Sequence, residues 1–266
     1  MDDPDDERVA AFRNVRERDL VGRQGGFIAE GEVVLRLLGV QKRHRARALL
    51  IARNRIEGLS QIIETFPPET PVYSASQAVM DAIVGFHIHR GILALGERAP
   101  DPGPDALLAQ CGPDALVVAL SGIGNHDNVG GIFRNAAAFG AAAVLLDSGC
   151  CDPLYRKALR VSVGAALTTP FSRLGAGEDL IARLDRHGFT VLSLTPGAGE
   201  RLSQLQVPGR VCVLLGAEGP GLDPALIQRG RAVRIPMAPG FDSLNVAVTS
   251  GIVLHHLAEQ RLRRAH

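Results

Sequence analysis

The sequence predicts an α/β fold in two parts. Short, strongly apolar runs alternate with segments of helical periodicity along most of the chain, which is the pattern of sheets covered by helices. A stretch rich in proline and glycine at 97–115 interrupts the alternation, since so many prolines cannot all lie inside regular elements. We therefore expect a small domain at 1–98, a linker at 99–113 and a larger domain at 114–266.

The first part predicts a small α/β domain. GGFIAEGEVVLRLL is typical of a brief strand followed by a helix, with Val33, Val34, Leu37 and Leu38 on one face. ARALLIA, PVYSA and GILAL are predicted strands, and IEGLSQIIETF is a predicted helix. SASQAVMDAIVG is a further helix, opened by a serine cap.

The second part predicts a larger parallel sheet. DALVVAL, AAAVLLD, FTVLSL, RVCVLLG and RAVRIP are apolar enough for strands buried on both faces. Between them, NVGGIFRNAAAFG, DPLYRKALRVSVG and GEDLIARLDRHG are predicted crossover helices that end at glycine. A final helix runs from Ser243 to about Arg263, and its predicted apolar stripe is formed by Leu244, Ala247, Val248, Gly251, Leu254 and Leu257.

Composition limits the classes of function. With 46% hydrophobic and 21% charged residues among 266, the chain is too apolar for a disordered protein and too charged for a membrane protein. It has no apolar run of about 18 residues and no signal peptide, so we expect a cytoplasmic protein without membrane association. The four cysteines lack CxxC spacing, and His87 and His89 have no evident third ligand, so we expect no metal.

Three segments combine glycines with polar side chains. In RVCVLLGAEGPGL a strand runs into three glycines that flank Glu218; an ordinary turn explains the glycines but not the carboxylate. In IPMAPGFDSLNV the last helix begins near Ser243 and Asn245, where either Asp242 or Ser243 could be a simple cap. In NHDNVGGIFRN, Asn128 is a candidate cap, and Arg134 is either a solvated surface charge or a contact to phosphate or ribose.

In their order and spacing, these segments resemble the three signature motifs of the SpoU (TrmH-like) family of RNA ribose methyltransferases, in the SPOUT superfamily. The first motif, N-x-G-x-x-x-R-x-A-x-x-F-G, is matched by Asn128, Gly130, Arg134, Ala136, Phe139 and Gly140. The second, L-G-x-E-x-x-G-L, is matched by Leu215, Gly216, Glu218, Gly221 and Leu222. The third is matched by Ile235, Pro236, Met237, Ser243, Leu244, Asn245, Val246 and Ile252. An intermediate stretch of the family is matched from Asp152 to Ala165. The first part of the chain resembles the L30e-like RNA-binding domain that many members carry.

The resemblance implies methyl transfer from S-adenosylmethionine to a ribose 2′-hydroxyl of tRNA or rRNA, by a homodimer whose catalytic domain holds a deep trefoil knot. The implied catalytic residues are Arg134, Glu218, Ser243 and Asn245. The implied cofactor-binding residues are Thr195, Leu215, Gly216, Gly221, Ile235, Met237 and Leu244. Because arginine is always protonated, we expect Arg134 to hold phosphate and stabilise a developing alkoxide rather than act as a base. A SPOUT enzyme that methylates a base and a non-catalytic RNA-binding protein remain alternatives.

RNA binding has a second indication besides the resemblance. The net charge is only +1, but residues 36–55 hold seven cations and no acid. Such a run is either a solvated face or a surface for phosphates. We expect Arg43, Arg45 and Arg47, together with Asn128, to contact RNA.

Overall fold

The computed structural model describes residues 1–13, 25–206 and 209–265, which form two compact units. The first unit comprises Met1–Pro100 with Asp152–Thr168, and the second comprises Asp101–Cys151 with Thr169–His266. The helices are α1 Glu32–Val40, α2 Ser60–Ile63, α3 Gln77–Val84, α4 Pro104–Ala109, α5 His126–Ala138, α6 Arg156–Val161, α7 Ala165–Thr168, α8 Leu180–Arg186, α9 Pro224–Arg229 and α10 Val246–Ala265. The strands are β1 Gly26–Glu30, β2 Arg45–Ala52, β3 Val72–Ala75, β4 Ile92–Glu97, β5 Leu116–Ser121, β6 Ala143–Leu146, β7 Phe171–Arg173, β8 Thr190–Leu194, β9 Glu200–Arg201, β10 Val211–Gly216 and β11 Arg231–Arg234.

The first unit is a four-stranded mixed sheet with strand order β1-β4-β2-β3. All four predicted strands are present, and Ser76 caps α3 by accepting from the Val79 amide. The face of α1 differs from the prediction, because Val34, Leu35 and Leu38 are buried while Val33 is 51% exposed. The predicted helix over IEGLSQIIETF is a 3-10 turn followed by the four-residue α2. Glycine at position 58 lowers the helical preference of that segment.

The segment Asp152–Thr168 belongs to the first unit, although the sequence predicts it within the domain at 114–266. An ion pair ties this segment to the first unit. Glu30 at the end of β1 is 5% exposed, and Arg156 of α6 donates to its Oε2 atom at 2.6 Å. A buried carboxylate is costly without such a partner. The segment therefore supplies the cation that the sheet of the first unit requires.

The second unit is a seven-stranded parallel sheet of order β7-β6-β5-β10-β8-β11-β9. The five predicted strands are all present. The sequence misses β7 and β9, which have three and two residues and are too short to show a period. It also predicts a linker where α4 lies, yet Leu107 and Leu108 are buried in the core of this unit.

The last helix begins at Val246 rather than at Ser243. Its buried residues include Ser250, Val253, Leu254 and Leu257, whereas Val248, from the predicted stripe, is 53% exposed. The difference arises because α10 packs on α5 through small and polar groups. Asn135 donates to the Ala247 carbonyl at 2.7 Å and to Ser250 Oγ at 2.8 Å. The helix therefore turns a partly polar face inward and leaves apolar side chains outside.

Candidate functional site

A cavity of about 710 Å³ lies in the second unit at the carboxyl ends of β8, β10 and β11. The chain runs from β5 outward to β7 and then returns to the other side of the sheet, so β10 lies between β5 and β8. Loops at the carboxyl ends diverge at such a reversal, and ligands of parallel α/β sheets bind there. Four segments and the side chain of Ile227 on α9 form the wall; the segments lie within 194–196, 215–222, 233–237 and 242–249.

The glycine-rich loop after β10 forms one part of this wall. A Cβ atom on Gly216 would lie 2.5 Å from the Gly221 carbonyl carbon and from the Leu222 amide nitrogen. Gly221 adopts a φ of +72°, and its amide donates to the Ala217 carbonyl at 3.0 Å. The loop thus folds back on itself, and only glycine fits at Gly216. This places Glu218 at the cavity.

Asn245 joins the three predicted motifs. Its Oδ1 atom accepts from the amides of Ala247 at 2.9 Å and Val248 at 3.2 Å, which caps α10. Its Nδ2 atom donates to Glu218 Oε1 at 2.9 Å and to Asn128 Oδ1 at 2.8 Å. Because both amide ends have partners, the orientation of the Asn245 side chain is fixed.

Asn245, not Asp242 or Ser243, is therefore the cap of α10, and it precedes the helix instead of lying in its first turn. Asn125 caps α5 in the same way, in place of the predicted Asn128, by accepting from the Asp127 amide at 2.8 Å. Asn128 lies within α5 and is 4% exposed. Its Nδ2 atom is shielded from solvent and has no hydrogen-bond partner among the described residues.

Every residue predicted to bind the cofactor lines the cavity. These are Thr195, Leu215, Gly216, Gly221, Ile235, Met237 and Leu244. Three of the four predicted catalytic residues, Glu218, Ser243 and Asn245, also line it. Arg134 does not: it is exposed on α5, and its guanidinium group makes no hydrogen bond or ion pair with another described residue.

Two charged residues that line the cavity, Asp242 and Arg234, are not among the residues predicted to contact a ligand. Asp242 is exposed in the loop before α10, and the sequence predicts it only as a cap. Arg234 is the last residue of β11 and is half-buried. The sequence does not single it out among the many arginines; it shows only that Arg234 stands at the end of a predicted strand, beyond which ligands of parallel sheets bind.

The predicted RNA contacts of the first unit lie at the start of β2. Arg45 and Arg47 are exposed, whereas Arg43 is half-buried. The register between β2 and β4 shifts between Ala46 and Ala48, so Arg47 stands at a bulge, a feature that redirects a side chain. Arg45 and Arg47 have no ion-pair partner within the described ranges.

Other polar groups considered from the sequence form local contacts. His87 Nδ1 lies 2.7 Å from Asp81 Oδ2, and the rings of His87 and His89 meet edge to face at 4.5 Å. No group of three His, Cys, Asp or Glu side chains is arranged to hold a metal within the described residues. Cys111, Cys150 and Cys212 are free thiols, and all three are buried. None of the described helices is both long and apolar enough to cross a membrane.

Comparison with known proteins gives a consistent result. The sequence profile described as "SpoU rRNA Methylase family" matches residues 115–255. An uncharacterized tRNA/rRNA methyltransferase of Mycobacterium bovis is 38% identical over 273 residues, covering 99% of this chain and 91% of the relative. A second such relative, from Mycobacterium tuberculosis H37Ra, is 34% identical and covers 70% of this chain and 59% of its own length.

Solved structures share the fold over nearly the whole chain. The AdoMet-bound rRNA methyltransferase from Sinorhizobium meliloti superposes with a TM-score of 0.82 at 22% identity, covering 97% of both chains. The SpoU methyltransferase AviRb from Streptomyces viridochromogenes, in complex with AdoMet, gives 0.81 at 20% identity, covering 97% of this chain and 98% of its own. A structure described as an RNA 2′-O ribose methyltransferase gives 0.79 at 24% identity, covering 98% and 99%.

Proposed function

The chain belongs to the SpoU rRNA methylase family, and from this premise we propose that it transfers a methyl group from S-adenosylmethionine to a ribose 2′-hydroxyl of tRNA or rRNA. The observation that carries the proposal is the hydrogen-bonded chain Asn128–Asn245–Glu218, which joins the three motifs at the cavity wall. Its support among relatives is the tRNA/rRNA methyltransferase name of the M. bovis protein.

The cavity fits S-adenosylmethionine in size and lining. Gly216, Ile235 and Leu244 would present backbone to the cofactor, and Thr195, Leu215, Gly221 and Met237 complete that part of the wall. The S. meliloti enzyme and AviRb were both crystallised with AdoMet. When bound, the cofactor supplies a methyl group activated by a sulfonium centre.

The protein residues would position the ribose and stabilise charge. Asn245 holds Glu218 through a charge-assisted hydrogen bond, so the carboxylate keeps one orientation toward the cavity. Ser243 is exposed in the loop that leads to Asn245 and would support the ribose there. Asn128 is buried against Asn245, which favours a positioning role over the predicted contact with RNA.

Arg134 would act on the RNA from outside the cavity wall. Its guanidinium group is exposed and makes no bond within the described part of the chain, so it is available to a phosphate next to the target ribose. There the guanidinium group would stabilise the negative charge that develops on the ribose 2′-oxygen as its proton passes to water. Single-turnover methylation by Arg134→Ala and Arg134→Lys tests this role. We expect both variants to be at least about tenfold slower, and near-wild-type rates in both would contradict the role.

The first unit would bind the RNA. Arg45 and Arg47, with Arg43 close by in sequence, present charge at the start of β2. Replacing all three by glutamate should weaken RNA binding in a filter assay and leave cofactor affinity unchanged. Equal loss of both affinities would indicate misfolding and would remove this support.

We also propose a homodimer that pairs through α10. Val248, Ile252 and Leu262 on this helix are 53%, 39% and 57% exposed. Apolar side chains exposed on one helix are typical of a surface covered by another chain. Analytical ultracentrifugation should give the mass of a dimer for the wild type and of a monomer for Val248→Glu. The implied trefoil knot remains a prediction.

The decisive test of the reaction uses RNA from a strain in which the gene is deleted. The purified protein and labelled S-adenosylmethionine are incubated with that RNA, and nucleosides are analysed by mass spectrometry. We expect the label on a 2′-O-methyl ribose. A label on a base would favour the SPOUT base methyltransferase, and binding of RNA without label would favour the non-catalytic alternative.

A further inference from the structure

Arg234 is a cation without an anion at the cavity wall. The residue ends β11, lines the cavity and is half-buried. Its Nε atom is shielded from solvent and has no hydrogen-bond partner, and no ion pair joins the side chain to another described residue. A guanidinium group has five donors and normally uses them where it is removed from water. Such a group in a cavity indicates a missing acceptor.

The neighbouring strand β9 adds a second positive charge next to Arg234, which increases the need for a negatively charged partner. Arg234 is in register with Arg201 of β9, so two guanidinium groups follow adjacent parallel strands on the same face. Arg201 likewise has no acidic partner within the described residues. By contrast, Arg231 of the same strand donates to Glu200 at 2.7 Å. The nearby acid is therefore taken by Arg231, and the positive charge at Arg234 is left uncompensated.

The charges of the cavity indicate which acceptor fits. Among the described residues that line it, the charged ones are Glu218, Asp242 and Arg234. S-adenosylmethionine has the opposite set, with a sulfonium and an ammonium group against one carboxylate. The cavity thus offers two carboxylates for the two cations of the donor, and one guanidinium group for its carboxylate.

We infer that Arg234 binds the carboxylate of the amino-acid part of the methyl donor. This inference rests on the proposed function. The planar fork of arginine pairs with a carboxylate through two parallel hydrogen bonds. Of the guanidinium nitrogens only Nε is shielded from solvent, so the two terminal nitrogens are open to a small ligand inside the cavity, whereas a phosphate of the RNA backbone would have to enter the cavity. Arg234 is therefore a residue that sets affinity and specificity for the donor.

The test compares two probes that differ only in the carboxylate. S-adenosylhomocysteine and its decarboxylated analogue, which keeps the ammonium group, are titrated calorimetrically into the wild type, Arg234→Gln and Arg201→Gln. We expect Arg234→Gln to weaken S-adenosylhomocysteine about 10- to 100-fold, as for loss of hydrogen bonds to a charged group, and to leave the analogue unchanged. Arg201→Gln is the matched control, because Arg201 lies outside the cavity wall; both probes should bind it within about twofold of the wild type.

Two results would overturn the inference while the proposed function stands. One is an unchanged affinity of Arg234→Gln for S-adenosylhomocysteine; a raised KM for RNA in the same variant would then assign Arg234 to the RNA. The other is an equal loss for both probes, which would mean that the variant distorts the cavity. If the wild type binds neither probe, the proposed function fails and the role of Arg234 fails with it.

Discussion

Replacing Asn245 by aspartate should separate the proposed role of this side chain in positioning Glu218 from its role in the fold. Asn245 caps α10 with its Oδ1 atom and holds Glu218 and Asn128 with its Nδ2 atom. Aspartate keeps the acceptor and is an equally good cap. It loses both donors and places a second carboxylate next to Glu218. Alanine loses the cap and the donors together.

The expected magnitudes follow from these contacts. Loss of the cap should lower the free energy of unfolding of Asn245→Ala by about 1 kcal/mol. Both variants lose the Nδ2 hydrogen bonds, but Asn245→Asp keeps the capping bonds and should therefore be about 1 kcal/mol more stable than Asn245→Ala. A hydrogen bond to a charged group contributes about 1.5–3 kcal/mol, so methylation by either variant should fall about 10- to 100-fold.

Two assays on the same preparations decide the outcome. Urea denaturation gives the free energy of unfolding, and single-turnover methylation gives the rate of the chemical step. The reasoning is refuted if Asn245→Asp retains a rate within about threefold of the wild type, since Glu218 would then not depend on the Asn245 donor. Equal stability of Asn245→Asp and Asn245→Ala would refute the assignment of the cap.

Three further predictions concern stability and the cavity. Burial lowers the pKa of His44 from 6.5 to about 4, so the unfolded chain binds the proton more tightly than the folded chain does. About 3 kcal/mol of the free energy of unfolding that is present above pH 6.5 should therefore be lost as the pH falls to 4. Urea titrations over this pH range should show the loss in the wild type, and His44→Asn should remove it. Val163 adopts a φ of 54°, which costs a branched side chain about 1–2 kcal/mol; Val163→Asn should raise the urea midpoint, and a lower midpoint would contradict the strain. Gly216→Ala should weaken S-adenosylhomocysteine binding about tenfold or more in calorimetry, because the added Cβ atom would collide with the backbone of Gly221. Gly199→Ala is the control: a Cβ atom at Gly199 has open space around it, so this variant should bind S-adenosylhomocysteine as the wild type does.

Much of the fold could be predicted because its signals are local. Each long strand of the parallel sheet is a continuous apolar run. The start of α3 is marked in the sequence by Ser76, a residue type typical of helix N-caps. The strands β7 and β9 carry no such signal, because segments of three and two residues are fixed by their neighbours in the sheet. The start of α10 was predicted three residues early, since Asp242, Ser243 and Asn245 are all good caps and only tertiary contacts choose among them.

The candidate site shows the same division. Motif spacing identified the residues that now line one cavity, including Glu218 and Asn245. It could not give the direction of the Asn245 amide, which depends on Asn128, 117 residues away in the chain. Nor could it single out Arg234, because one arginine among many is informative only when the structure shows that it has no acidic partner.

The pairing of Glu30 with Arg156 has a consequence for the order of synthesis on the ribosome. These two residues are 126 positions apart, and the chain leaves the first unit after Pro100 and re-enters it at Asp152. The first unit can therefore be completed only after β5 and β6, two of the seven strands of the parallel sheet, have been translated. A fragment that ends at the proline-rich stretch would leave the Glu30 carboxylate without its cation. Each unit is thus built from two segments of the chain, and a single cut in the chain releases neither unit intact.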